Sequence, residues 1–215
     1  MNYEEHKGFH TIYILAALYV ASIYLFPFLF FGINGSSSET SDLNAWPLLI
    51  PVILGLINLI VVLLGKNTIG RTQLLNCTVL IKYTLIPFFI IGGLCIAVAL
   101  LLTFTPVVIM IFVGPTVAIT LSVLGWFALV GSAPYSIAYI VKSCKQGIHG
   151  KVLSVIAGIL QFFFAADVIS VIVLALKEKK CVKITVALLV ILILAVLIFA
   201  TWLIALIASA VVSSM

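Results

Sequence analysis

Charge is scarce in this chain. Asp, Glu, Lys and Arg make up 8% of its 215 residues, against about 25% in a soluble domain. With 65% of its residues hydrophobic, so few charges leave a large apolar surface that water would not tolerate. That excludes a water-soluble globular protein and points to a bilayer. Acidic residues are the rarest, with six Asp or Glu in all. No two of them form the paired carboxylates of an aspartic dyad. HExxH, the nucleophile elbow and the P-loop are also missing, so the expectation is that the chain is not an enzyme. The four cysteines, Cys77, Cys95, Cys144 and Cys181, show no CxxC or Cys/His ligand spacing. A structural metal site and a disulfide framework are therefore not expected, and no cofactor is implied. The net charge of +5 divides between opposite membrane faces, which argues against nucleic acid as a partner. Internal repeats of the kind that build many transporters are not evident.

What the chain has instead is long apolar runs. About 20 residues at about 1.5 Å each cross a hydrocarbon core about 30 Å thick. Six runs meet that length: Thr11–Ile33, Pro47–Leu64, Tyr83–Leu102, Thr116–Val141, Val152–Leu176 and Ile184–Val212. They lack the alternation of barrel strands. Backbone groups in lipid must bond within their own segment, so the runs are read as helices. The expected fold is all-α: a polytopic bundle of six transmembrane helices, forming one integral membrane domain over residues 1–215. The first run follows an acidic N-terminus with Glu4, Glu5 and Lys7 and lacks a small-residue cleavage site, so it is read as a retained first span. Thr72–Lys82 either begins the third helix or lies along the interface. Val107–Val113 is too short to span and is read as interfacial or re-entrant. Pro134, after Gly131-Ser132-Ala133, predicts a kink in the fourth helix.

The balance of Lys and Arg sets the orientation. Six spans put Lys7, Lys66, Arg71, Lys82, Lys142, Lys145 and Lys151 on one face. Lys177, Lys179, Lys180 and Lys183 fall on the other. The richer face is expected to be cytoplasmic, with both termini on it, in the cell membrane. The Lys177–Lys183 cluster violates this pattern. The alternative is five spans plus a re-entrant segment, in which Val152–Leu176 enters and leaves on the cytoplasmic face.

Asp167 is the charge that lies deep inside an apolar run. A carboxylate at a helix centre costs roughly 2.5–3.5 kcal/mol on the insertion scale, which the apolar residues of its run offset. Ser170 is one turn on and within reach. On a continuous helix Gln161 points about 120° away, so it falls outside a site centred on Asp167. Asn58, one turn after Gly55, is a second intramembrane polar residue, and Tyr139 adds a hydroxyl on the fourth run. Asp167, Ser170, Asn58 and Tyr139 therefore form the candidate intramembrane polar site. It serves either to hold helices together, with a protonated Asp167 bonded to a neighbour, or to carry a proton or cation. Lys142, Lys145 and Lys151 are candidate contacts for an anionic lipid headgroup, set against ordinary control of topology. His149 in the same loop is read as a solvated histidine.

Two function classes follow. The first, which the sequence favours, is a binding, scaffolding or accessory subunit of a membrane complex. Its partners are the lipid bilayer and another membrane protein or a second copy. Ala200, Ala205, Ala208 and Ala210 of the sixth run would offer small-residue contacts. The second is a permease or channel-like component built around Asp167.

Overall fold

The computed structural model describes residues 3–35, 46–65, 67–104, 108–179, 182–194 and 201, and no strand occurs among them. In chain order the helices are α1 (Tyr3–Gly35), a single 3₁₀ turn (Trp46–Leu48), α2 (Leu49–Leu64), α3 (Arg71–Leu102), α4 (Val108–Lys145), α5 (Lys151–Leu160) and α6 (Ala166–Lys177). The chain divides into two compact units, Met1–Val171 and Ile172–Met215. In the second unit the described residues comprise the end of α6, the apolar helix Val182–Leu194, and Thr201.

Among the described residues, four helical stretches are long and apolar enough to cross a bilayer: Thr11–Phe30, Trp46–Leu64, Arg71–Leu102 and Ile111–Lys145. Six continuous spans are not found among those residues. The fifth run, Val152–Leu176, is interrupted at Gln161–Ala165, between α5 and α6. The sixth run is described to Leu194 and at Thr201; Ala200, Ala205, Ala208 and Ala210 lie outside the described residues.

Two boundaries have local reasons, the first as one of the two expected alternatives and the second as a departure from expectation. Thr72–Lys82 is the first third of α3. Gly70 is extended, and the Gln73 side chain reaches back to accept its N–H at 2.8 Å. That satisfies one of the free donors of a helix start. Residues 108–113 are not a separate piece but the first turns of α4. Gly114 makes this possible. A Cβ there would collide with the Ala99 carbonyl and the Thr103 hydroxyl, so its absence lets α4 run close along the end of α3. The helix continues through Pro115 and Pro134 without interruption.

The packing of α1, α2 and α4 turns on two glycines and a tyrosine. A Cβ on Gly55 of α2 would stand 3.3 Å from the Gly131 Cα of α4, and one on Gly131 would collide with the Tyr19 hydroxyl and ring. Tyr19 of α1 is buried and donates its hydroxyl to the Ala128 carbonyl at 2.9 Å. Leu75, Ile81 and Leu85 of α3 and Leu129 of α4 are fully buried. Large apolar side chains also cover the outside: Leu64, Leu101, Phe112 and Ile119 are all more than 60% exposed. An outer surface of this kind is stable in lipid and not in water.

Candidate functional site

The break in the fifth run builds the site. Ala165 has φ of 60°, a left-handed conformation that ends an L-residue helix. Contacts on either side hold the chain against α3 and α4. The Phe164 ring packs edge-on against Phe89 of α3 and Trp126 of α4, with centroids 5.7 and 6.3 Å away. Three residues later Asp167 meets Lys82 of α3, which donates to Ser132 of α4. Phe89 and Trp126 lie seven and six residues from Lys82 and Ser132, about 10 Å further toward the α3–α4 turn. Phe164 and Asp167 are thus held against different levels of α3 and α4, on either side of the positive-φ residue Ala165.

A helix start at this depth has free N–H groups and no bulk water to satisfy them. Asp167, in the first turn of α6, answers that need. Its Oδ1 accepts the Val168 N–H at 2.6 Å, and a carboxylate at a helix N-terminus is favoured by the aligned peptide dipoles. Its Oδ2 accepts from Lys82 Nζ at 2.6 Å. Lys82 also donates to Ser132 Oγ at 2.9 Å, and Ser132 in turn donates to the Leu129 carbonyl at 2.7 Å. Both charged side chains are fully buried.

The network continues through the break. Ser170 Oγ donates to the Asp167 carbonyl at 2.8 Å, and Gln161 Nε2 donates to Ser170 Oγ at 2.7 Å and to the Ala157 carbonyl at 3.3 Å. Gln161 thus belongs to the site after all. The 120° separation applies to an unbroken helix, and the helix is broken between the two residues. Gln161 is fully buried, and its Oε1 has no partner among the described residues.

Of the four expected polar residues, the structure joins Asp167 and Ser170. Asn58 pairs elsewhere: its Oδ1 accepts the Tyr135 hydroxyl at 3.0 Å, tying α2 to α4. The Tyr139 hydroxyl lies 3.3 Å from His149 Nε2. His149 is not a solvated loop residue but is 2% exposed, with its ring edge-on to Tyr139. The three basic candidates also separate. Lys142 and Lys145 line a groove between α2 and α4, with Lys142 donating to the Ile69 carbonyl, while Lys151 is the exposed first residue of α5 and lines no part of that groove. Cys77 is buried, Cys95 exposed and Cys144 partly buried, each with a free thiol.

Lys82 is the residue that sequence reasoning placed wrongly, as an interfacial charge. The signal was present. A helix starting at the Gly70–Gln73 cap puts Lys82 eleven residues in, about 17 Å along the axis, which is too deep for a residue that only sets topology.

A model of a family of unknown function, DUF6652, matches residues 10–180, a span that holds every member of the Lys82–Asp167 network. No curated protein and no solved structure matches the chain.

Proposed function

Because the chain belongs to the DUF6652 family, whose role is open, we propose its function from the site: a multi-pass membrane protein that acts as a binding or scaffolding subunit. The observation that supports this is the closed ion pair. Lys82 and Asp167 neutralise each other inside the chain, and their remaining polar contacts are to Ser132 and to backbone. A carrier needs a charged group that can meet its ion or substrate. Neither the groove between α2 and α4 nor the one beside Ala118 and Trp126 is lined by Lys82 or Asp167. The pair is read as a clamp between α3, α4 and the start of α6.

The break at Gln161–Ala165 supports the five-span arrangement with a re-entrant fifth run and a cytoplasmic N-terminus. In that arrangement the sequence cluster Lys177–Lys183 would no longer violate the charge rule. The six-span arrangement, with both termini cytoplasmic, remains the competing topology.

A second reading has one observation in its favour. Interrupted helices with polar groups at the break are the usual binding elements of transporters, and the unpartnered Gln161 Oε1 lies within this one. Reconstitution separates the two. Purified protein in liposomes under a pH or cation gradient should show no flux that depends on Asp167. A flux present in the wild type and abolished by Asp167→Asn would replace the subunit reading with the permease one.

A further inference from the structure

The face between α2 and α4 holds a groove of about 880 Å³ that neither Lys82 nor Asp167 lines. That falls at the upper end of the volumes typical of ligand pockets, roughly 300–1,000 Å³. Its chemistry changes along its length. The walls are apolar, with Val52 and Leu59 from α2 and Phe127 and Val130 from α4. The floor includes Gly55 and Gly131, where α2 and α4 meet in close contact. One end is basic and polar, formed by Asn67, Lys142, Lys145 and Gln146.

We propose that this groove is a binding site for an anionic phospholipid, with an acyl chain between α2 and α4 and the phosphate at Lys145. Three features select that occupant. The groove begins where α4 ends and runs inward, so its long axis follows the helices as a lipid tail does. From Lys145 to Gly131 is fourteen residues, about 21 Å, which exceeds the half-thickness of a hydrocarbon core of about 30 Å. The charge lies at one end only, as it does on a phospholipid. Lys142 is held in place by its bond to the carbonyl of Ile69, itself a lining residue of the groove. Lys145 is exposed and makes no hydrogen bond or ion pair among the described residues, so its ammonium is available. A second transmembrane helix would fill the apolar length but has no use for a basic end. A soluble anion would use the basic end but not the apolar length. This site is separate from the ion pair, and its failure would leave the subunit reading untouched.

The test uses the full chain in nanodiscs of phosphatidylcholine with a minor fraction of fluorescent phosphatidylglycerol, and reads lipid binding by energy transfer from a label on the protein. Phosphatidylglycerol should be preferred over a phosphatidylcholine probe of the same chain length. A near-surface lysine contributes about fivefold to such binding. Lys145→Gln should therefore weaken phosphatidylglycerol about fivefold, and Lys145→Glu should weaken it further. Leu59→Trp, which fills the apolar section, should reduce both probes while leaving the melting temperature unchanged. Lys142 is left intact because it also bonds to the Ile69 carbonyl. Equal binding of the two probes by the wild type, or a preference unmoved by Lys145→Glu, would overturn the proposal. So would competition by inorganic phosphate alone, which would mark a site for a free anion.

Discussion

Asp167 Oδ2 and Lys82 Nζ lie 2.6 Å apart although 85 residues separate them in sequence, and both side chains are fully buried. That contact joins the start of α6 to the first third of α3. It also explains how two charges remain in an apolar bundle. Each is expensive alone, and each removes the other's cost only while the contact is closed.

The Gly131–Tyr19 contact predicts a sharp contrast among glycines. Gly131→Ala puts a methyl group against the Tyr19 hydroxyl and ring, and should cost about 1–3 kcal/mol as an overpacked site. Gly92 and Gly158 lie inside α3 and α5 with open space where a Cβ would be. Changing either to alanine should be neutral or stabilising by up to about 1 kcal/mol. Thermal unfolding in detergent, read by tryptophan fluorescence, compares the three variants directly.

Ala165 carries a positive φ at the break. A left-handed conformation costs an L-residue about 1–2 kcal/mol, while glycine adopts it freely at some entropic cost. Ala165→Gly should raise stability by up to about 1 kcal/mol, and Ala165→Val should lower it. Equal melting temperatures for glycine and valine would mean that the break does not depend on this residue.

Asn58 and Tyr135 form an isolated buried pair across α2 and α4. Asn58→Leu leaves the Tyr135 hydroxyl unsatisfied and should cost about 1–3 kcal/mol. Adding Tyr135→Phe removes the orphaned group and should restore much of that loss. A double-mutant cycle on the melting temperature checks this.

The sidedness of the fifth run can be read by labelling. In a cysteine-free background, single cysteines at Lys151 and Lys179 should react with an impermeant maleimide from the same membrane face if the run returns. Reaction from opposite faces would establish a straight crossing and the six-span topology.

Much of the helical architecture was legible in the sequence, because the length of an apolar run largely decides whether it can cross a bilayer. Asp167 and Ser170 were legible as neighbours, since one turn separates them whatever else the chain does. The break between Leu160 and Ala166 was not. Its residues, Gln161 to Ala165, contain neither glycine nor proline, and hydropathy alone does not distinguish a continuous span from an interrupted one. Two misplacements followed from local assumptions. Gln161 was set aside by a helical wheel that does not apply across a break in the helix. Lys82 was counted as an interfacial charge because the third apolar run begins after it, whereas the helix itself begins at Arg71.

The most direct test of the clamp is a double-mutant cycle on Lys82 and Asp167, followed by thermal stability in detergent and by the fraction of protein correctly inserted in membranes. Lys82→Met or Asp167→Leu alone leaves one buried charge uncompensated and should cost about 3–5 kcal/mol, whereas the double variant replaces the pair with apolar groups and should return close to the wild type. A clamp predicts that the two single variants fail and the double is rescued. If the double variant is as unstable as the worse single, or if either single variant is as stable as the wild type, the pair is not the clamp described.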